Sequence, residues 1–147
     1  IWRTHFEHTR PTGSLGGLPA GEMEKIPQNC AETARSLMRQ KESAELLAAR
    51  GYKVKHLRDS TRTPGSRPDF EIEGKIFDNY APKSAKLEHI SEQIAKKMPK
   101  QAQRIVLNLD DCPLSVQAIE EYLQTNRISN LKEVITIRQG NIQPIYP

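Results

Sequence analysis

The residues with the most chemistry in them fall in one short run, Pro68-Asp69-Phe70-Glu71-Ile72-Glu73-Gly74-Lys75-Ile76-Phe77-Asp78-Asn79-Tyr80. Asp69 to Glu73 and Lys75 to Tyr80 each read as a strand. Glu73-Gly74 suits a two-residue hairpin turn, because glycine tolerates the positive φ such turns need. With the turn there, Ile72 faces Lys75, Glu71 faces Ile76, Phe70 faces Phe77 and Asp69 faces Asp78. Opposed residues share a face of the sheet, with Cβ atoms about 4.5–5.5 Å apart. Two carboxylates so placed repel unless something positive sits between them. In phosphodiester hydrolysis that is usually a divalent metal, which also offsets charge on the phosphate and activates a water. The plainer alternative is that both aspartates flank a solvated hairpin.

Such a site also needs a fixed cation. Lys96, Lys97 and Lys100 lie on or just after a helical segment from Ala85 to Met98, whose buried stripe is Leu87, Ile90, Ile94 and Met98. At about 100° per residue, Lys97 falls on the edge of that stripe beside Ile90, and Lys96 falls nearly opposite. Lys97 is therefore the candidate, against the alternative of a snorkelling lysine at the core border. Glu73-Gly74-Lys75 also spells E-x-K after Pro68-Asp69, which makes Lys75 a second candidate, although the triplet would sit in the turn. A third carboxylate would come from the first helix, where Glu42 and Glu45 both qualify and the helical phase does not choose between them.

Other groups carry less. His5 and His8 have i, i+3 spacing but lie in an irregular stretch, and His56 and His89 are isolated. Asp110-Asp111 follows a strand and suits helix capping. Ser43, Ser60 and Ser84 have no His–acid context for nucleophilic catalysis. There is no phosphate-binding glycine loop and no dinucleotide fingerprint. Cys30 and Cys112 are the two cysteines, too few for a disulfide scaffold and without C-x-x-C spacing, so both read as free thiols.

These residues need elements to position them. Residues 1–28 read as an irregular linker or laid-on arm, with breakers from Arg10 to Pro19. A helix is expected from Asn29 to Arg50, with Asn29 and Glu32 at capping-box spacing, Gly51 as its stop and a break near Arg39–Glu42. Tyr52–Leu57 reads as a strand, and Arg58–Pro68 as a loop. After the hairpin come the Ser84-capped helix, a buried strand over Arg104–Leu109, and an Asp111-capped helix from Cys112 to Gln124. A final hairpin places Val134–Arg138 and Ile142–Tyr146 about Gly140-Asn141. The order α-β-β-β-α-β followed by α-β-β predicts an α/β (α+β) domain over 29–147, its mixed sheet flanked by helices, and its first six elements follow the PD-(D/E)XK nuclease core. With 147 residues the chain suits one domain. Aromatics at 5% make the core aliphatic, and a net charge of +4 favours a polyanionic partner such as nucleic acid. No apolar run approaches the roughly 18 residues of a membrane span. The chain starts at Ile1 without a signal peptide, which reads as a piece of a longer polypeptide.

The runs Lys41-Glu42-Ser43-Ala44-Glu45-Leu46-Leu47-Ala48 to Gly51-Tyr52, Pro68-Asp69-Phe70 to Asp78-Asn79-Tyr80-Ala81-Pro82, and Arg104-Ile105-Val106-Leu107-Asn108-Leu109 resemble the C-terminal toxin domains of contact-dependent growth inhibition (CdiA) proteins, in the branch described as tRNases. The resemblance covers about residues 29–147. It implies a PD-(D/E)XK-like fold, cleavage of tRNA in the cytoplasm of a neighbouring bacterium, and a cognate immunity protein that pairs with a monomeric toxin. It also implies that the domain is the C-terminal part of a large secreted cell-surface protein, with residues 1–28 ending a segment that helps entry. By motif position the active-site acids fall on Glu42, Asp69 and Asp78, and the lysine on Lys97. Asp78-Asn79-Tyr80 lacks the lysine of an E-x-K triplet, which is a departure from the usual pattern.

The expected mechanism has Glu42, Asp69 and Asp78 holding one Mg²⁺, with Mn²⁺ or Zn²⁺ as alternatives, and Lys97 acting on the phosphate or the attacking water. Arg58, Arg62, Arg67, Lys83 and Lys100 are the expected substrate contacts, with Lys53, Lys55 and Lys86 also on the basic rim. Asp59 beside Arg58 offsets that charge in part. An immunity partner would be acidic where it meets this rim. The competing readings are a DNase on the same fold, a non-catalytic nucleic-acid-binding module, and a pure interaction domain.

Overall fold

A computed structural model describes residues 7–57 and 68–147. The elements are α1 (Ala31–Ala49), β1 (Val54–His56), β2 (Phe70–Ile72), β3 (Lys75–Tyr80), α2 (Leu87–Lys96), β4 (Arg104–Asn108), α3 (Val116–Thr125), β5 (Glu133–Arg138) and β6 (Asn141–Tyr146). The order is the one the sequence pattern predicts. All six strands form one sheet in sequence order; β3, β4 and β5 are parallel, and the flanking pairs are antiparallel. Parallel neighbours need a crossover, and α2 and α3 provide the two.

The β2–β3 hairpin has the expected register, Phe70 with Phe77, Glu71 with Ile76 and Ile72 with Lys75. Glu73 and Gly74 turn with φ of 51° and 78°, the left-handed pair that suits the twist of a hairpin. Strand alternation then sorts the core into two layers. Phe70, Phe77, Val106 and Ile135 pack with Ala44 and Leu47 of α1. Ile105, Leu107 and Val134 pack with Ile90 and Ile94 of α2 and Ile119 and Leu123 of α3. Asp78 pairs in register with Ile105, so it faces α2.

Several boundaries differ from the sequence reading, each for a physical reason. Helix α1 starts after Cys30, not Asn29, and no side chain caps it; Glu32 bonds forward to Arg35 instead. It runs through residues 39–42 without a break, helped by an Arg39–Glu42 ion pair one turn apart and by Gln40 being buried. Helix α2 begins after Lys86, because the Ser84 hydroxyl accepts from the Lys86 N–H two residues on and forms a turn before the helix. Helix α3 is capped by Ser115, whose hydroxyl accepts from Ala118 N–H at 3.1 Å. Asp111 serves no cap; its carboxylate is taken by two arginines. The last hairpin turns at Gln139-Gly140, with φ of 47° and 79°, one residue before the expected Gly140-Asn141.

The arm packs onto the domain. Thr9 donates from its backbone and hydroxyl to the fully buried Glu133 carboxylate at 2.7 and 2.8 Å, and Thr12 donates to Glu73. Ala20 then bridges the outer edge of β1 by exchanging hydrogen bonds with Val54 and His56, which covers a sheet edge that would otherwise be open. Gly21 must lack a side chain here, since a Cβ would lie 2.7 Å from the His56 carbonyl oxygen.

Candidate active site

The β2–β3 hairpin brings Asp69 and Asp78 together. Asp69 sits one residue before β2 and accepts from the Asn79 backbone N–H at 2.8 Å. Asp78, 1% exposed at the centre of β3, accepts on Oδ2 from Lys97 Nζ at 2.5 Å and from Gln101 Nε2 at 2.8 Å. Asp78 Oδ1 is buried and has no hydrogen-bond partner among the described residues. Burial, and then the adjacent Asp78 carboxylate, push the Asp69 carboxyl well above the ordinary carboxylate range; Asn79 and Lys97 oppose that shift without cancelling it. The pair is thus short of positive charge, with one acceptor left over.

Lys97 reaches the pair because it is the C-cap of α2, one turn beyond the buried Ile94 and at the border of the helix's apolar stripe. Its ammonium also lies 5.9 Å from the Tyr80 ring centroid. Lys75 is at the far end of β3, where it donates to Thr9, and Lys96 and Lys100 are exposed. Of the candidate lysines, only Lys97 bonds to the pair among the described residues. Gln101 escaped sequence reasoning; it lies in the turn beyond the end of α2 and past Pro99, where helical spacing gives no signal.

Glu42 does not line the cleft that holds Asp69 and Asp78. Its carboxylate accepts from Arg39 at 2.6 Å and is about half exposed. Glu45 pairs weakly with Lys41. The α1 residues lining the cleft at the pair are Glu32, Thr33, Ser36, Leu37 and Gln40. At 100° per residue Glu42 lies 200° round the helix from Gln40, which explains the separation. Glu32, the acid that lines this cleft from α1, was legible only as a capping residue. Its carboxylate is held at about 2 by Arg35 first and by Lys83.

Among the described residues no three acids, histidines or cysteines gather as a metal-binding group. The pair still fits a hard divalent ion held by one or two carboxylates, with waters and a substrate phosphate completing the shell. The Asp78 oxygen without a partner among the described residues and the raised Asp69 are what such a cation would relieve. Among the described residues no His or Cys lines the cleft beside them, which disfavours zinc.

Of the expected substrate contacts, Lys83 lies 3.3 Å from Glu32 and Lys100 is on the surface. Arg58, Arg62 and Arg67 lie outside the described residues, as does His5. His8 is 3.8 Å from Glu133. His56 is buried against Phe70, where burial lowers its pKa. Cys30 and Cys112 are free, as expected. No described helix is long and apolar enough to cross a membrane.

The fold is thus a mixed α/β domain in which Asp69, just before β2, and Asp78 of β3 form an acid pair, with Lys97 from the end of α2 bonded to Asp78. Comparison with known proteins narrows the class. The model of the contact-dependent growth inhibition CdiA C-terminal domain matches residues 66–142. A curated relative, "tRNA nuclease CdiA-2" of Burkholderia pseudomallei, is 40% identical over 147 residues, covering 98% of this chain. The chain spans only 4% of that relative's length. A solved structure described as a CdiA-CT/CdiI toxin and immunity complex from Burkholderia pseudomallei superposes with a TM-score of 0.80 at 37% identity, covering 89% of this chain and all of that one. The chain belongs to the CdiA C-terminal domain family.

Proposed function

We propose that this domain is a toxin nuclease that cleaves tRNA in the cytoplasm of a target bacterium and is neutralised by a cognate immunity protein that binds it as a heterodimer. The observation that carries the reading is the adjacent Asp69–Asp78 pair, undercharged and with its buried Asp78 bonded to Lys97, at the motif positions where the family resemblance puts the acids and the lysine. The relative's name adds tRNA as substrate, and the complex with an immunity protein adds the partner. The PD-(D/E)XK assignment and the metal dependence belong to the same proposal.

Asp69 and Asp78 would hold a divalent ion, Mg²⁺ being the best fit, which supplies charge neutralisation at the phosphate and an activated water. Around it, this chain's residues set the geometry. Asn79 N–H fixes the Asp69 carboxyl. Gln101 and Lys97 fix Asp78, and the Lys97 ammonium, only partly buried, is placed to stabilise charge developing on a phosphate oxygen. Glu32, which lines the cleft, joins Glu42 as a candidate acid from α1.

The test is incubation of the domain with total bacterial tRNA, with Mg²⁺ or with EDTA, beside Asp69→Asn. Discrete metal-dependent fragments missing from the variant are expected. Intact tRNA together with cut plasmid would replace this reading with a DNase. Tight binding without products would leave only a binding module.

A further inference from the structure

Helix α2 carries more than Lys97. Lys86, His89, Gln93 and Lys97 follow at intervals of three, four and four residues, a row along one side of the helix beside its buried Ile90 and Ile94. All four line an open groove of about 600 Å³, whose opposite wall is the first turns of α1 and whose floor is the chain from Asn79 to Ser84. The groove runs into the cleft of the acid pair, because Glu32, Ser36, Asn79 and Lys97 line both.

The two parts differ in charge. The cleft holds Glu24, Glu32, Asp69 and Asp78 against Lys97 alone. The groove holds Arg35, Lys83, Lys86 and Lys97 against Glu32 alone. Glu32 offsets Arg35 and Lys83 by direct contact, whereas Lys86 has no ion pair among the described residues. The electrostatic change therefore falls at Lys97. A phosphate there has the acid pair on one side and, on the other, a basic trough lined by an exposed imidazole and a carboxamide.

We propose that the nucleotide adjoining the scissile phosphate lies in this groove, with its outer phosphate on Lys86, its base stacked on His89 and the Gln93 amide hydrogen-bonded to its ribose or base edge. Histidine is among the side chains on which unpaired RNA bases stack, and an amide can both donate to and accept from a 2′-OH. The row thus positions one strand, splayed from its helix, so that the next phosphate meets Lys97. This inference rests on the reading of Asp69–Asp78 as a nuclease centre.

Binding of tRNA by the Asp69→Asn protein, followed over a series of salt concentrations, tests the groove independently of cleavage. Added to that background, Lys86→Ala is expected to lower the salt slope by about one. His89→Ala with Gln93→Ala is expected to weaken binding about tenfold at an unchanged slope. Lys41→Ala, which removes an exposed charge that does not line the groove, is the control. Binding unaffected by the groove variants, or a slope change in Lys41→Ala equal to that of Lys86→Ala, overturns the proposal. Cleavage by Asp69→Asn itself would instead overturn the assignment of the nuclease centre to Asp69–Asp78, a separate result.

Discussion

Two clusters of carboxylates and cations flank the groove, and they have opposite character. In one, Asp111 accepts from Arg35 at 2.7 Å and from Arg39 at two points, both 2.9 Å, tying α1 to the loop after β4. Arg39 also takes Glu42 and lies 3.7 Å from Asp110. Those bonds, Arg39 first, hold the Asp111 carboxyl at about 2. In the other, Asp69 and Asp78 share Lys97, Asp69 is pushed upward and an Asp78 oxygen is left without a described partner. The first cluster is matched and joins elements. The second is undermatched and is held by the β2–β3 hairpin, whose Phe70, Ile72 and Phe77 are fully buried. Charge that the fold leaves uncompensated marks where a substrate or ion would complete it.

The largest separation between the clusters should appear in rate. Asp69→Asn and Asp78→Asn are each expected to reduce tRNA cleavage by roughly 10³-fold or more, and Lys97→Met by about 10²-fold, mostly in kcat, on the scale of removing one group that stabilises the transition state. Single-turnover cleavage measures all three. Asp111→Ala acts on the other cluster. It is expected to lower stability by about 1–2 kcal/mol, discounted for partial exposure, while leaving the cleavage rate of the folded protein nearly intact. Denaturant unfolding beside the same assay would show both. Among the α1 acids, Glu32→Gln should slow cleavage more than Glu42→Gln does, and the reverse order would return Glu42 to the site.

Stability against pH sharpens the contrast through its sign. Asp111 has a depressed value, so its contribution is present above the ordinary aspartate value, about 3.9, and is lost as pH falls towards about 2. Asp69 has a raised value, so its contribution is present below about 3.9 and is lost as pH rises through the raised value. Asp69→Asn keeps an acceptor for Asn79 N–H and removes the second dependence. The expected outcome is a higher Tm than the parent near neutral pH, with the difference shrinking under acid or on adding Mg²⁺ to the parent. Asp111→Asn should show the opposite pattern, losing Tm near neutral pH and converging with the parent under acid.

Much of this arrangement was readable from local pattern. The Asp69–Asp78 juxtaposition followed from one glycine turn and a two-residue period, and Lys97 followed from the phase of α2 around Ile90 and Ile94. Which α1 acid lines the cleft was not readable, because Glu42 and Glu32 differ only in which side of a long helix meets the sheet, and tertiary packing sets that phase. Asp111 looked like a cap because aspartate after a strand usually is one; two arginines more than 70 residues away in sequence claimed it instead. The arm's contacts were also hidden, since Thr9 with Glu133 and Ala20 with β1 are pairings at a distance that composition does not signal.

The most direct measurement sets Asp69→Asn, Asp78→Asn and Asp111→Asn side by side in one tRNA cleavage assay with Mg²⁺, below the melting temperature of each. The account predicts loss of discrete fragments in the first two and near-parental cleavage by the third. Cleavage that survives in Asp69→Asn and Asp78→Asn but fails in Asp111→Asn would place the chemistry in the matched cluster and contradict it.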